Sequence, residues 1–139
     1  MGCFNSVVVD APVNRVWGAL RNFHDMSWAA DEVECEPVGA YAGNQIGAKR
    51  IINGTFYETL IGLDDQARVM RYRIDVGSDS AVKDNVQEFI GEIRVYPITE
   101  DNTTFVLWTT SWEPSSGAVA EPGDAVYQSM LAELQRAFV

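Results

Sequence analysis

Residues 47–60, Gly-Ala-Lys-Arg-Ile-Ile-Asn-Gly-Thr-Phe-Tyr-Glu-Thr-Leu, decide the fold. Two apolar runs meet at Asn53-Gly54, and both of these residues tolerate positive φ, so the stretch predicts a β-hairpin. The hairpin also carries Arg50 and Glu58 in strands that are otherwise half apolar. A charged side chain in such a strand is paired, reaches outward to water, or serves a ligand.

The length of the hairpin loop decides whether the two charges meet. A two-residue loop would place Arg50 and Glu58 on opposite faces of the sheet, whereas a three-residue loop, 53–55, would place them opposite each other on one face. We predict the three-residue loop, because it also aligns Phe56 and Leu60 with Glu58.

Length and composition favour one globular domain over residues 1–139. The chain is 47% hydrophobic, which is enough for a sizeable core. Ten Lys and Arg residues stand against 20 acidic ones, a net charge of −10, and the basic residues form no cluster, so nucleic acid is not an expected partner. No apolar run reaches the roughly 18 residues that a membrane span requires. We expect a soluble cytoplasmic protein, a monomer or homodimer.

Metal and cofactor sites are not expected either. Cys3 and Cys35 are too few for a disulfide framework and are not spaced as metal ligands, and His24 is the single histidine. The sequence has no phosphate-binding loop and no nucleophile motif, so any chemistry would be proton transfer on a bound molecule.

The pattern of the whole sequence predicts one strand, two short helical segments, six more strands and a long helix. Val7 to Val9 mark the first strand, and Asp10 is placed to cap a helix with Pro12 in its first turn. Residues 23–30 are too mixed for a full helix and suggest one turn or a loop. The further strands are predicted at 32–39, 46–52, 56–63, 69–76, 86–96 and 104–112, with a polar loop at 77–84 and a connection at 113–123.

Strand 69–76 has the clearest alternation, with Tyr72 and Ile74 on one face and Arg71 and Arg73 on the other. The last segment, 124–139, places its apolar residues on one stripe of a helix: Val126, Tyr127, Met130, Leu131, Leu134 and Phe138. Short turns between consecutive strands imply an antiparallel sheet, so the fold class is α+β, one sheet folded around one long helix.

Several motifs in this order resemble the START-like, Bet v 1-like helix-grip superfamily, in its polyketide cyclase/dehydrase (SRPBCC) branch. The residues that carry the resemblance are Ala11-Pro12-x-x-x-Val16-Trp17, the segment Phe23 to Trp28, Gly47-x-x-Arg50, Glu58-x-Leu60 with Asp64, Arg71-Tyr72-x-Ile74, Phe89 to Val95, and Trp108 with Trp112. The resemblance implies a curved, seven-stranded antiparallel sheet around the C-terminal helix, two short helices after the first strand, and a cavity for a small hydrophobic or amphipathic molecule.

The hairpin is most similar to that of lachrymatory factor synthase-like proteins. This resemblance implies catalytic roles for Arg50 and Glu58, whereas the plant abscisic acid receptors use a glutamate at the position of Glu58 in binding. Phe89 stands where both relatives have a pocket tyrosine, and the lysine that holds the hormone carboxylate has no match here. The pocket chemistry therefore differs from both.

Each candidate site residue has a structural alternative. Arg50 and Glu58 could move a proton on a ligand, or they could form a structural ion pair that sets the strand register. His24 could act as acid or base at the pocket mouth, or be an exposed or capping residue. Gly91 leaves space for a close approach by either the long helix or a ligand. The aromatic and apolar candidates could line a pocket or simply fill the core; the full ligand-binding set is His24, Trp28, Phe56, Tyr72, Ile74, Phe89, Gly91, Trp108, Tyr127, Met130, Leu131 and Leu134.

Two functions are consistent with this pattern. The first is a protein that binds a lipid, polyketide or terpenoid-like molecule without converting it. The second is a cofactor-independent cyclase, dehydratase or isomerase, with Glu58 as general acid/base and Arg50 as its electrostatic partner. We favour binding, because few polar groups face the predicted cavity.

Overall fold

The computed structural model describes residues 2–75, 89–112 and 124–139. Seven strands form one antiparallel sheet: β1 (Gly2–Val9), β2 (Cys35–Val38), β3 (Lys49–Ile52), β4 (Phe56–Asp64), β5 (Val69–Ile74), β6 (Phe89–Ile98) and β7 (Thr103–Trp112). Helix α1 (Val13–Leu20) and a 3₁₀ turn (Ser27–Ala29) follow β1, and helix α2 (Asp124–Ala137) ends the chain. This is the α+β class that the sequence pattern predicts, in the helix-grip arrangement that the resemblance implies.

The strands lie in the order β1-β7-β6-β5-β4-β3-β2. From β2 to β7 each strand pairs with the next in the chain, and β1 pairs with β7 along its whole length, from Gly2 opposite Ser111 to Val9 opposite Thr104. The first strand therefore completes the sheet beside the last one, and the inner face of the curved sheet is left for α2 to cover.

Alternating side chains give the sheet one buried face, as predicted. On β5, Met70, Tyr72 and Ile74 are buried, whereas Arg71 and Arg73 are exposed. Along most of β6, buried side chains likewise alternate with more exposed ones, because side chains along a strand point to opposite faces in turn.

Helix α2 packs its predicted apolar stripe onto this face. Tyr127, Met130, Leu131 and Leu134 are buried, but Val126 is 46% exposed, so the stripe is narrower than expected at its first turn. Both ends of α2 are tied to β1. Asn5 Nδ2 donates to Asp124 Oδ1 at 3.0 Å, and Gln135 Nε2 donates to the carbonyl oxygen of Val8 at 2.8 Å.

Helix α1 is attached to the turn between β4 and β5 by one carboxylate. Asp65 Oδ1 accepts hydrogen bonds from Trp17 Nε1 at 2.8 Å and from Arg21 Nε at 2.9 Å, and Asp65 Oδ2 accepts one from Arg21 Nη2 at 2.9 Å. The predicted Asp10 cap is wrong. Pro12 occupies the N-cap position, with extended backbone and no side-chain hydrogen bond.

The structure moves the starts of the strands predicted at 32–39 and 46–52. The strand predicted at 32–39 begins only at Cys35, because the backbone N–H groups of Glu32 and Val33 still bond to the carbonyl oxygen of Ala29. The strand predicted at 46–52 begins at Lys49, because Gly47 has a φ of 96° and Ala48 closes a turn onto Gln45. The loop predicted at 77–84, the connection at 113–123 and the outer ends of two strands, Val76 and residues 86–88, lie outside the described residues, as does the side chain of Trp112.

Candidate functional site

The hairpin of β3 and β4 has the three-residue loop that the sequence predicts. Ile52 pairs with Phe56 and Arg50 pairs with Glu58, and the N–H of Thr55 donates to the carbonyl oxygen of Ile52 at 3.0 Å. Asn53 and Gly54 take the positive φ angles of 53° and 68°. Arg50 and Glu58 therefore share the inner face of the sheet.

Arg50 and Glu58 form a buried ion pair, with side chains only 5% and 7% exposed. Arg50 Nε donates to Glu58 Oε1 at 2.8 Å, and Arg50 Nη2 lies 2.7 Å from the same oxygen. Both contacts reach Oε1, and Oε2 of Glu58 has no protein hydrogen-bond donor within residues 2–75, 89–112 and 124–139.

Phe23 holds the guanidinium of Arg50 from the segment before the 3₁₀ turn. Its carbonyl oxygen accepts a hydrogen bond from Arg50 Nη1 at 3.0 Å, and its ring centroid lies 3.9 Å from Arg50 Cζ. The ring of Tyr72 is also near, at 5.3 Å from Cζ. A cation over aromatic faces is stabilised where water is excluded, so Phe23 and Tyr72, together with Glu58, fix the orientation of Arg50.

Burial raises the pKa of Glu58 above its ordinary value, although the charge and hydrogen bond of Arg50 oppose this shift. Asp75, on the far side of β4, adds to the raised pKa by like-charge repulsion. A carboxyl group with a raised pKa and one oxygen that meets no donor among the described residues can accept a hydrogen bond from a ligand, or exchange a proton with it.

Aromatic side chains form the wall beside this pair. Trp108 Nε1 donates to the hydroxyl of Tyr72 at 2.8 Å, and the ring of Tyr127 on α2 lies 5.1 Å from that of Trp108. Burial raises the pKa of Tyr72 well above its usual range and also raises that of Tyr127. Both phenols therefore stay protonated and act as neutral hydrogen-bonding groups.

Gly91 provides space for Tyr72, and not for the helix or a ligand as the two sequence interpretations proposed. Tyr72 and Gly91 face each other on β5 and β6. A Cβ atom on Gly91 would lie 2.1 Å from Cζ and 2.5 Å from the hydroxyl oxygen of Tyr72. The missing side chain therefore lets the Tyr72 ring lie flat across β6 and reach Trp108.

A cavity of about 310 Å³ opens between this wall and α2. This is within the range of small-molecule sites, at the lower end. The described residues that line it are Met26, Glu32, Val33, Arg50, Ile52, Asn53, Phe56, Glu58, Tyr72, Trp108, Ala125, Val126, Tyr127, Ser129 and Met130. Arg50, Glu58, Tyr72 and Trp108 are buried, whereas Glu32, Asn53 and Val126 are exposed and stand at the opening.

The structure brings seven of the predicted site residues to the cavity: Arg50, Phe56, Glu58, Tyr72, Trp108, Tyr127 and Met130. The other seven do not line it. Ile74, Phe89, Gly91, Leu131 and Leu134 lie in the core or under Tyr72. Trp28 packs edge-on against Trp108 with 6.3 Å between ring centroids, and Nε2 of half-buried His24 lies 2.9 Å from the carbonyl oxygen of Lys49.

The sequence patterns did not identify the part of the cavity wall that comes from the loops and from the first turns of α2. Met26 and Val33 flank the 3₁₀ turn, and Ala125 and Ser129 lie in the first turns of α2. Met26 is an apolar residue in a segment without helix or strand periodicity, and this is a weak signal that a loop folds inward, whereas Val33 lies in the segment predicted as the strand 32–39. Ile52 was assigned to the hairpin but not to the site, and the register alone places it beside Phe56.

No group of three or more His, Cys, Asp or Glu residues that could hold a metal ion occurs in the described part of the chain. Within the same part, no helix combines the length and the apolar character needed to cross a bilayer.

A curved antiparallel sheet closed by a C-terminal helix, with a cavity between them, defines a helix-grip domain. The chain belongs to the family described as polyketide cyclase / dehydrase and lipid transport, whose model matches residues 5–139. No protein with a curated description matches the sequence.

Solved structures share this fold over the whole chain. A protein from Nitrosospira multiformis is 41% identical, with a TM-score of 0.90 over 100% of this chain and 97% of the other. A protein from Thermobifida fusca is 24% identical, with a TM-score of 0.75 and coverage of 98% and 92%. The major latex-like protein 151 of Panax ginseng is 12% identical, with a TM-score of 0.72 and coverage of 99% and 93%, and shows the fold alone.

Proposed function

We propose that this protein binds a small hydrophobic or amphipathic molecule, of lipid, polyketide or terpenoid type, in the cavity between the sheet and α2. The observation that carries the proposal is the cavity itself, a space of about 310 Å³ with mostly apolar walls and one buried ion pair at its base. Apolar walls supply most of the binding free energy, and a few fixed polar groups orient the ligand. The family description, which includes lipid transport, agrees with this function.

The fluorescent apolar probe N-phenyl-1-naphthylamine tests the proposal. We expect saturable binding of one probe molecule to each chain, with increased fluorescence as the probe leaves water. Val126→Trp places a large ring at the cavity opening and should weaken binding by about tenfold or more, which corresponds to about 1.4 kcal/mol.

Val8→Trp is the matched control, because Val8 is 48% exposed on β1, Val126 is 46% exposed, and Val8 does not line the cavity. This control should bind the probe as the parent does. Equal binding by Val126→Trp and the parent, or the absence of any binding, would contradict a ligand site in this cavity.

A second candidate function, proton transfer on the bound molecule, is favoured by the state of Glu58. Its pKa is raised and its Oε2 has no protein donor among the described residues. The carboxylate could remove a proton from one carbon of a ligand and return it to another, as an isomerase requires, while Arg50 stabilises the charge. In a dehydratase the same proton would pass to a hydroxyl of the ligand, whose C–O bond breaks as the group leaves as water. No metal or redox partner is needed for such a step.

Native mass spectrometry of the purified protein would identify a co-purified ligand for this test. The ligand is then incubated with the parent and with Glu58→Gln. Conversion by the parent and not by Glu58→Gln supports catalysis, whereas unchanged ligand in both supports binding alone.

A further inference from the structure

Each of the three nitrogens of the Arg50 guanidinium contacts an acceptor inside the protein. Its Nε and Nη2 contact Glu58 Oε1, its Nη1 donates to the carbonyl oxygen of Phe23, and aromatic rings lie against its guanidinium. Arginine normally recognises a carboxylate through a fork of two parallel N–H groups. Here the Nε–Nη2 fork is directed at Glu58 and not toward the centre of the cavity.

Glu58 leaves a hydrogen-bond acceptor at the base of the cavity. Oε2 of Glu58 has no protein donor in the described ranges, and the side chain is 93% buried. A buried carboxylate oxygen without a donor costs free energy, which a donor on a ligand would recover. The base of the cavity therefore favours a molecule that donates a hydrogen bond.

The charges of the cavity restrict that molecule further. Arg50 and Glu58 neutralise each other, and among the described residues of the wall the other charged one is Glu32, whose carboxylate stands at the opening. A carboxylate ligand would enter past Glu32 and add an unpaired negative charge beside Glu58. An ammonium group would likewise leave one uncompensated positive charge beside the neutral pair, and isolated charges are costly in such a site.

We propose that the cavity selects neutral ligands that present an alcohol or phenol hydroxyl to Oε2 of Glu58, and that it discriminates against carboxylic acids of the same shape. This inference rests on the proposed function, namely that the cavity is a ligand site. It adds the chemical class of the polar end of the ligand.

Four bicyclic probes of similar shape test the selection at neutral pH: naphthalene, 2-naphthol, 2-methoxynaphthalene and 2-naphthoate. We expect 2-naphthol to bind about tenfold or more tightly than 2-methoxynaphthalene. A tenfold difference in affinity corresponds to about 1.4 kcal/mol, and a hydrogen bond to a charged acceptor typically contributes at least this much. The carboxylate probe should bind more weakly than naphthalene itself.

Glu58→Gln should reverse the ranking. Removing the carboxylate leaves the charge of Arg50 without its partner, so 2-naphthoate should gain about tenfold in affinity and exceed 2-naphthol. Glu32→Gln is the matched control, since it removes a carboxylate at the cavity opening and leaves the Arg50–Glu58 pair intact. The control should still prefer 2-naphthol.

The ranking measured on the parent protein decides the inference even where Glu58→Gln fails to fold. Equal affinities for the four probes, or tightest binding of 2-naphthoate, would overturn the selection while the proposed binding function stands. If none of the four probes binds, and N-phenyl-1-naphthylamine does not bind either, the binding function is overturned together with the inference.

Discussion

Arg50 and Glu58 lie directly opposite each other on adjacent strands, with Arg50 Nη2 2.7 Å from Glu58 Oε1 and both side chains more than nine-tenths buried. Such a pair stabilises a fold less than its short distance suggests, because both charges lose their hydration. Retaining a buried pair at a cavity base is therefore consistent with a role toward a ligand.

Breaking the pair should destabilise the protein strongly, and replacing both members should not. Arg50→Met leaves a buried unpaired carboxylate and should lower the free energy of unfolding by about 3–5 kcal/mol. The double variant Arg50→Met/Glu58→Leu should return to within about 1–2 kcal/mol of the parent. Urea denaturation of the parent, of Arg50→Met, of Glu58→Leu and of the double variant measures these free energies of unfolding. Equal losses in the single and double variants would contradict the account of the pair.

The raised pKa of Glu58 predicts a pH dependence of stability with a defined sign. The folded state holds the Glu58 proton more tightly than the unfolded chain, so this group contributes stability that is complete below the unfolded value of about 4.5 and is lost as pH rises through the folded pKa.

Glu58→Gln cannot titrate at this position and isolates the effect from the other carboxylates. The free energy of unfolding of the parent minus that of Glu58→Gln should fall as the pH rises above about 4.5, until Glu58 is fully ionised. Denaturation of both proteins over a pH series measures the difference. A difference that rises with pH would show that the pKa of Glu58 is lowered, with Arg50 dominating over burial.

Gly91→Ala should displace the aromatic wall. The new Cβ would lie 2.1 Å from Cζ of Tyr72, so the ring must move, at a cost of about 1–3 kcal/mol, and its hydrogen bond to Trp108 should be lost. Gly18→Ala is the matched control, because a Cβ on Gly18 meets nothing within 4 Å and alanine favours helix α1 by roughly 0.5–1 kcal/mol. Thermal unfolding distinguishes the two. A neutral Gly91→Ala would show that Tyr72 does not depend on this space.

Asp65 should stabilise the fold through its hydrogen bond from the Trp17 indole as well as through its ion pair with Arg21. Asp65→Asn keeps an acceptor for buried Trp17 Nε1 but loses the charge, and an exposed pair such as this contributes at most about 1 kcal/mol. Asp65→Ala also leaves the indole N–H without an acceptor and should cost about 1–3 kcal/mol more.

The pKa of Asp65 is lowered, chiefly by Arg21 and also by Trp17, so the stability that it provides is present above about 3.8 and is lost as pH falls through the folded pKa. Denaturation of the parent and both variants at neutral and acid pH measures these differences. Equal stability of the two variants at neutral pH would exclude a contribution from the Trp17 hydrogen bond.

The sheet and its faces could be predicted because they depend on local patterns. Alternation on β5 fixed the inward position of Tyr72, and the loop length at Asn53 and Gly54 fixed the meeting of Arg50 and Glu58. These rules act over a few residues, so they do not require knowledge of the tertiary structure.

The loop wall could not be predicted in the same way. Phe23 reaches Arg50 across 27 positions of the sequence, and Met26 lies in a segment without periodicity. The space at Gly91 was recognised, but its occupant, Tyr72, is known only from the pairing of β5 with β6. Contacts between distant segments depend on the complete packing, which local pattern does not specify.

The central claim, that the cavity holds a small hydroxylated apolar molecule, can be tested through the methionine methyl groups. Of the four methionines, Met26 and Met130 line the cavity, whereas Met70 is buried in the core and does not. In a protein with ¹³C-labelled methionine methyl groups, titration with 2-naphthol should shift the signals of Met26 and Met130 in a saturable way and leave that of Met70 unchanged. No saturable shift at Met26 and Met130, or shifts confined to Met1, would contradict the claim.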